Sequence, residues 1–118
     1  MKDKPRELTV EEQNLLLHLL THASNTAKSF VGQVPFTKAT SGCTCGCPSI
    51  RLVVDKSAVV GHATERIIAD MLGATPNGLG VGVLVFADEG YLSDLEVYDF
   101  EGHVTPFPLP TLESLHPF

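Results

Sequence analysis

Apolar residues along the chain change their period once, near Pro35. Before it, Leu16, Leu19, Leu20 and Ala23 recur at i, i+3, i+4 and i+7, while Glu11, Asn14, His18, His22 and Asn25 run along the opposite side. That is the pattern of an amphipathic helix with one buried face. Thr9 and Glu12 form a T-x-x-E capping box ahead of the apolar run Leu15 to Leu20, so a hydroxyl and a carboxylate can satisfy amides that the first turn leaves open. The spacing predicts a helix from near Val10 and a break at Ser24 and Asn25. A second short helix is expected over Thr26 to Val31, with β-branched residues and Gly32 opposing it.

Beyond Pro35 the period shortens to two. Phe36 to Thr40 and Ile50 to Asp55 read as strands, the second with Ile50, Leu52 and Val54 on a buried side and Ser49, Arg51 and Val53 opposite. Between them Ser-Gly-Cys-Thr-Cys-Gly-Cys-Pro suits a hairpin connection that carries the cysteines. Ala63, Ile67, Ile68, Met71 and Leu72 fit a helical stripe closed by Gly73, and pattern alone chooses helix there. Pro76-Asn77-Gly78 then marks a turn. Val81, Val83, Val85 and Ala87 alternate with Gly82, Leu84 and Phe86, a strand apolar on both faces and so expected to be central. Asp88-Glu89-Gly90 turns the chain into Tyr91 to Phe100, with Leu95 and Val97 on one side and Asp94, Glu96 and Tyr98 on the other. These last two strands are expected to pair as an antiparallel hairpin. Pro106, Pro108 and Pro110 cannot continue a ladder, and Leu109, Leu112, Leu115 and Phe118 would anchor such a tail to the domain.

With 118 residues the chain closes one core and has little material for a second. Residues 1–118 are therefore read as a single domain, with 1–8 a flexible N-terminus and 105–118 a proline-rich tail packed on it. No window approaches the roughly 18 apolar residues of a membrane helix, and Met1 to Asn14 is too charged for the apolar core of a signal peptide. The expected location is cytoplasmic, away from membranes. Charge narrows the partners further. The formal net charge is -6, all eight Lys and Arg lie at or before Arg66, and only acidic residues follow, from Asp70 to Glu113. An acidic surface repels phosphate backbones and anionic lipid, so nucleic acid is not the expected ligand, while a basic protein partner or a cation fits. The bland reading is that these carboxylates solvate exposed strand faces and turns.

Two segments together carry a resemblance: Cys43-Thr-Cys-Gly-Cys-Pro-Ser-Ile-Arg-Leu-Val-Val-Asp55, and Gly82-Val-Leu-Val-Phe-Ala-Asp-Glu-Gly-Tyr-Leu-Ser-Asp-Leu-Glu-Val-Tyr98 with its Pro-Leu-Pro close. The chain after Thr40 resembles a family of small uncharacterised bacterial proteins with a C-x-C-G-C-P-[ST] stretch and a D-G-x-L-s-x-L-E-x-Y strand. The resemblance implies a strand over Glu65 to Leu72 in place of the helix that pattern alone chooses. It implies no activity. The chain departs from the family pattern at Glu89, inside the D-G turn, and in the long connection from Lys56 to His62.

Cys43, Cys45 and Cys47, at i, i+2 and i+4 with Gly42 and Gly46 between and beside them, are the sharpest chemical feature. Three thiols on one side of a curled extended chain can converge on a soft cation such as zinc. The spacing is not that of a C-x-x-C knuckle, so a fourth ligand would come from His62, His103, an acidic residue or another chain. A strained disulfide leaves one thiol over, thiol catalysis needs His62 or His103 close by, and small buried thiols in a tight turn need no ligand at all. His18 and His22 stand one helical turn apart, as chelating imidazoles can, or as solvated residues near a helix C-terminus. Asp94 and Glu96 share a strand side, as an acid/base pair or simply as exposed carboxylates. No G-x-S-x-G, G-x-x-x-x-G-K-[ST] or H-E-x-x-H stretch occurs, and Gly78-Leu-Gly80-Val-Gly82 enters a strand, the wrong context for a dinucleotide.

The sequence therefore predicts an α+β domain: an N-terminal amphipathic helix, with room for a second, packed on a mainly antiparallel meander sheet of four to five strands. The function expected first is a non-enzymatic binding module, self-associating or bound to another protein, that uses an acidic sheet face around Asp94, Glu96, Tyr98 and Asp99. An immunity- or antitoxin-like role is the analogy that suits a small acidic protein. The alternative is a metal-binding or redox-responsive protein whose ligands are Cys43, Cys45, Cys47 and His62. A cysteine enzyme comes third.

Overall fold

In the computed structural model, which describes residues 4–41, 47–101 and 106–117, the first periodic segment is helix α1, Val10–His22. Thr9 Oγ1 accepts from the Glu12 amide at 3.0 Å, and Glu12 Oε1 accepts from the Thr9 amide at 2.9 Å, so the capping box closes in both directions. Arg6 adds two guanidinium N–H donors to the same carboxylate, each at 2.9 Å. Leu15, Leu16, Leu19 and Leu20 are buried, whereas Ala23 serves as the C-cap and is only half-buried. Helix α2 is shorter than the expected segment: it spans Asn25–Lys28, capped by Ser24, whose Oγ accepts from the Ala27 amide. A 3-10 segment, Val31–Phe36, follows and contains Pro35, which has no amide to give a longer helix.

Seven antiparallel strands make one sheet: β1 (Arg6–Glu7), β2 (Thr37–Ser41), β3 (Ile50–Val54), β4 (Ile67–Ala74), β5 (Gly80–Asp88), β6 (Tyr91–Asp99) and β7 (His116–Pro117), in the order β1-β2-β3-β6-β5-β4-β7. Two corrections to the expected sheet follow. It has more strands than the four to five expected, because both edges are closed by two-residue strands too short to show a period. Arg6–Glu7, within the segment read as flexible, pairs with β2, and His116–Pro117 pairs with β4. Nor is the order a simple meander. Residues 55–66 carry the chain past the end of the sheet, so β3 lies beside β6, with Ile50 opposite Leu95 and Arg51 opposite Asp94, while β4 falls beyond β5.

The ambiguous segment is a strand, and a bulge explains its helical look. Register shifts between Ile67 and Ala69, so the consecutive Ile68 and Ala69 are both buried and break strict alternation. Pairing with β5 along the rest of the strand outweighs the local stripe. The cysteine-bearing connection does join a hairpin, since Thr37 to Ser41 pair with Val54 to Ile50. Asp88 and Tyr91 close the β5–β6 hairpin across Glu89 at φ 51° and Gly90 at φ 85°, a turn whose backbone twist matches the strands.

One face of the sheet carries Ala39, Ile50, Leu52, Val54, Ala69, Met71, Val81, Val83, Val85, Leu95 and Val97, and the helices pack there through their leucines, Ala27 and Phe30. Leu109, Leu112 and Leu115 pack against the same core, and the tail is tied down by Ser114 Oγ, which accepts from the Ala74 amide at 2.9 Å. Among the described residues no helix is long and apolar enough to cross a membrane.

Gln33, fully buried, joins parts of the chain that are remote in sequence. Its Nε2 donates to the carbonyls of Val59 at 3.0 Å and Gly90 at 2.7 Å, and its Oε1 accepts from the Leu92 amide at 3.0 Å. Its own carbonyl accepts from Thr37 Oγ1 at 2.8 Å. The Gly90 carbonyl also accepts from the Gly61 amide at 2.9 Å. The long connection and the β5–β6 turn are thus held to the 3-10 segment through one side chain.

Gln33→Ala removes three hydrogen bonds at once and leaves the buried Leu92 amide without a partner, which costs about 1–3 kcal/mol, and opens a cavity besides. A loss of at least about 3 kcal/mol in denaturant titration is expected; a loss under about 1 kcal/mol would show that water replaces the amide freely. Acid sensitivity is expected at Glu12. Burial pushes its carboxyl up, but the Arg6 hydrogen bonds and the Thr9 amide together outweigh this and hold it below the ordinary carboxylate value. A group depressed in the folded state stabilises above its unfolded pKa, near 4.3, and loses that contribution as pH falls through its folded value. Glu12→Gln is therefore less stable than the parent at pH 7, and the difference closes below about pH 4. A difference that stays constant across that range would contradict the assignment.

Candidate functional site

The second face of the sheet has no helix on it among the described residues. Alternation turns Lys38 and Thr40 of β2, Arg51 and Val53 of β3, Asp94, Glu96 and Tyr98 of β6, Leu84 and Phe86 of β5, and Asp70 and Leu72 of β4 toward this side. Four of the eight exposed large apolar side chains among the described residues lie here: Val53, Ile67, Tyr98 and Phe100. Tyr98 lies across Gly82, where a Cβ would have no room, and meets Phe100 edge-on at 5.9 Å between ring centroids. Leu72, Leu84 and Phe86 are half-buried between them.

Asp94 is bracketed by two arginines brought from different elements. Arg51 Nε stands 4.0 Å from Oδ1 and a terminal nitrogen of Arg66 stands 3.9 Å from Oδ2. The Arg66 guanidinium also lies over the Phe86 ring, 5.4 Å from its centroid. Both arginine side chains remain largely exposed, at 71% and 64%. Pairs this long and this wet contribute little to stability, and they leave donors available to another molecule. Asp70 Oδ1 is buried without a hydrogen-bond partner among the described residues.

The sequence-predicted surface is therefore partly assembled and partly corrected. Asp94, Glu96 and Tyr98 share the open face as expected. Asp99 does not, because it pairs with Val81 and so falls on the side of the core, where its Oδ1 accepts from the Glu101 amide at 2.8 Å. The face is mixed in charge, since Arg51 and Arg66 enter it from the basic two thirds of the chain. Sequence reasoning passed over Arg51, Arg66, Asp70 and Phe86 as site residues. The alternation at β3 carried the signal for Arg51, whereas the placement of Arg66 and Asp70 depends on the bulged pairing of β4.

The proposed metal ligands are less coherent. Cys43, Cys45 and His103 lie outside the described residues. Cys47 borders a cleft of about 270 Å³ lined with Arg6, Glu12, Ser41, Ser49 and Ile50. Ser49 Oγ accepts from the Val97 amide and donates to its carbonyl, which sets Cys47 near one end of β6. The His62 amide donates to Ser29 Oγ, and its neighbour Gly61 donates to Gly90, which sets His62 at the other end, on the order of 20 Å of strand away. The fold does not bring His62 to Cys47. The His18 and His22 rings lie 4.5 Å apart between centroids, tilted by 46°, and burial, then the His22 charge, push the His18 imidazole below its ordinary value. No group of three or more His, Cys, Asp or Glu gathers to hold a metal among the described residues.

Asp94→Asn is expected to lower stability by no more than about 1 kcal/mol, because its ion pairs are long and exposed. A larger loss in denaturant titration would make Asp94 a structural residue and remove it from the candidate surface. Compared with protein-family models, curated proteins and solved structures, the chain matches none.

Proposed function

We propose that the protein is a non-enzymatic interaction module that binds a protein through the open face of its sheet. The single observation carrying this reading is the face itself. A sheet buried on one side and charged on the other needs no partner; this one sets Val53, Ile67, Tyr98 and Phe100 in solvent beside Arg66, Arg51 and Asp94. Exposed aromatic and arginine side chains, with charged groups around them, are the composition from which protein interfaces draw their affinity. Leu84 and Phe86 put further apolar surface within a partner's reach along β5, the strand that sequence reading took as apolar on both faces.

The reading is tested with a photocrosslinking amino acid placed at Ile67, Tyr98 or Phe100, and at Val10 or Val59 as controls. The controls are as exposed or more so, at 68% and 80%, but belong to the helix N-terminus and the long connection. Crosslinks in the native cell are expected to concentrate at the three face positions on a discrete protein species. Equal labelling at the controls, or none at the face, would overturn the proposal.

A further inference from the structure

We infer that the occupant of the open face is a second copy of this chain, the two sheets stacking about a two-fold axis that runs along the strands between β5 and β6. This rests on the reading of that face as an interaction surface and names its partner.

Size is the first argument. The sheet holds about 40 strand residues, and each covers about 16 Å² at the usual strand spacing and rise, so the flat footprint is about 650 Å². With β1 overhanging and β2 set over the two-residue β7, about 32 strand residues of each copy face the other, about 500 Å² a side and about 1,000 Å² in all, the least that a specific interface needs.

Charge is the second. The chain as a whole is at -6, which opposes self-association. The open face carries less of it than the rest of the surface: Lys38, Arg51 and Arg66 stand there with Glu7, Asp70, Asp88, Asp94 and Glu96. Three of the eight cations of the chain meet five of its fourteen carboxylates, leaving most of the excess charge elsewhere.

Register supplies the third. Stacked sheets keep their strand directions within about 30° of one another. An axis between β5 and β6 therefore sets β3 of one copy over β4 of the other, and β6 over β5. Arg51 shares a cross-strand row with Asp94, Phe86 and Ile67, and Asp70 lies in the next row with Leu84 and Glu96. Rows on one side of a strand are about 7 Å apart, within the reach of an arginine side chain. Arg51 of one copy then meets the half-buried Asp70 carboxylate of the other, joining a largely exposed donor to an acid that forms no ion pair within its own chain among the described residues. Arg66, lying over Phe86 on β5, meets the Asp94 and Glu96 carboxylates of the second copy. Symmetry makes each contact twice.

The experiment is analytical ultracentrifugation of the purified full chain from about 1 to 300 µM, with circular dichroism melts to confirm folding. The parent is expected to dimerise, and Arg51→Asp and Asp70→Arg each to raise the dissociation constant at least about 30-fold, because like charges then face each other twice. An equimolar mixture of the two variants is expected to form a heterodimer within about threefold of the parent affinity, since one copy carries acids at both 51 and 70 and the other arginines at both. A parent that stays monomeric throughout, or a dimer that neither variant weakens, overturns the inference; so does a mixture of folded variants that fails to associate. Should either variant lose its fold, Ile67→Lys replaces it, and an unchanged dimer would again overturn the inference. A monomeric parent whose face positions still crosslink to a different protein would sink self-association alone and leave the interaction module standing.

Discussion

Gln33 is the constraint on which the arrangement of the sheet depends. The chain makes its β2–β3 hairpin and its β4–β5–β6 meander from local signals, but nothing local says how the two are joined. The connection from Asp55 to Arg66 has to be carried past the sheet and held there, and the carboxamide of Gln33 binds it at Val59 while binding Gly90 and Leu92 of the last hairpin. Two donors and one acceptor are all in use, so the orientation of the amide is dictated by its partners. A buried polar group is costly when unmatched and specific when matched, and here it selects one placement of the connection over others that would bury as much apolar surface.

With that connection fixed, the helices, the 3-10 segment and the tail leucines all fall on one side of the sheet. The Arg6–Glu12 pair draws β1 to the first turn of α1, and Ser114 draws the tail to Ala74, so both ends of the described chain reinforce the covered side. The consequence is asymmetry. The core is closed, yet β5 remains apolar on its outer side as well, and its neighbours supply Ile67, Tyr98 and Phe100. The candidate surface arises from the same topology that builds the core, because placing β3 beside β6 is what brings Arg51 to Asp94.

Much of this could be read from the residues. Thr9 and Glu12 announced the start of α1, Ile50, Leu52 and Val54 announced a half-buried strand, and Asp88-Glu89-Gly90 announced a turn; each is a signal between near neighbours, which the backbone reads directly. The failures share a physical cause. Strands of two residues have no period, so β1 and β7 were invisible. A bulge adds a residue to one strand and so imitates the helical spacing, which is why the run around Ile67 and Ile68 favoured helix by pattern. Pairing with β5 from Ile67 to Ala74 makes the segment a strand all the same.

Of the candidate site, Asp94, Glu96 and Tyr98 were legible because alternation alone puts them on one side of β6. Asp99 was grouped with them as the next acidic residue, and the same alternation turns it to the other side. The sequence by itself determined the α+β class, the capped helix, the central apolar strand and the sidedness of β3 and β6, all of which follow from spacings of a few residues. Only the tertiary structure decided that β3 lies beside β6, that two arginines flank Asp94, that His62 stands far from Cys47, and that no helix among the described residues covers one side of the sheet. Those are pairings between residues dozens of positions apart, set by which hydrogen bonds and packed side chains can be satisfied together, and no local period records them.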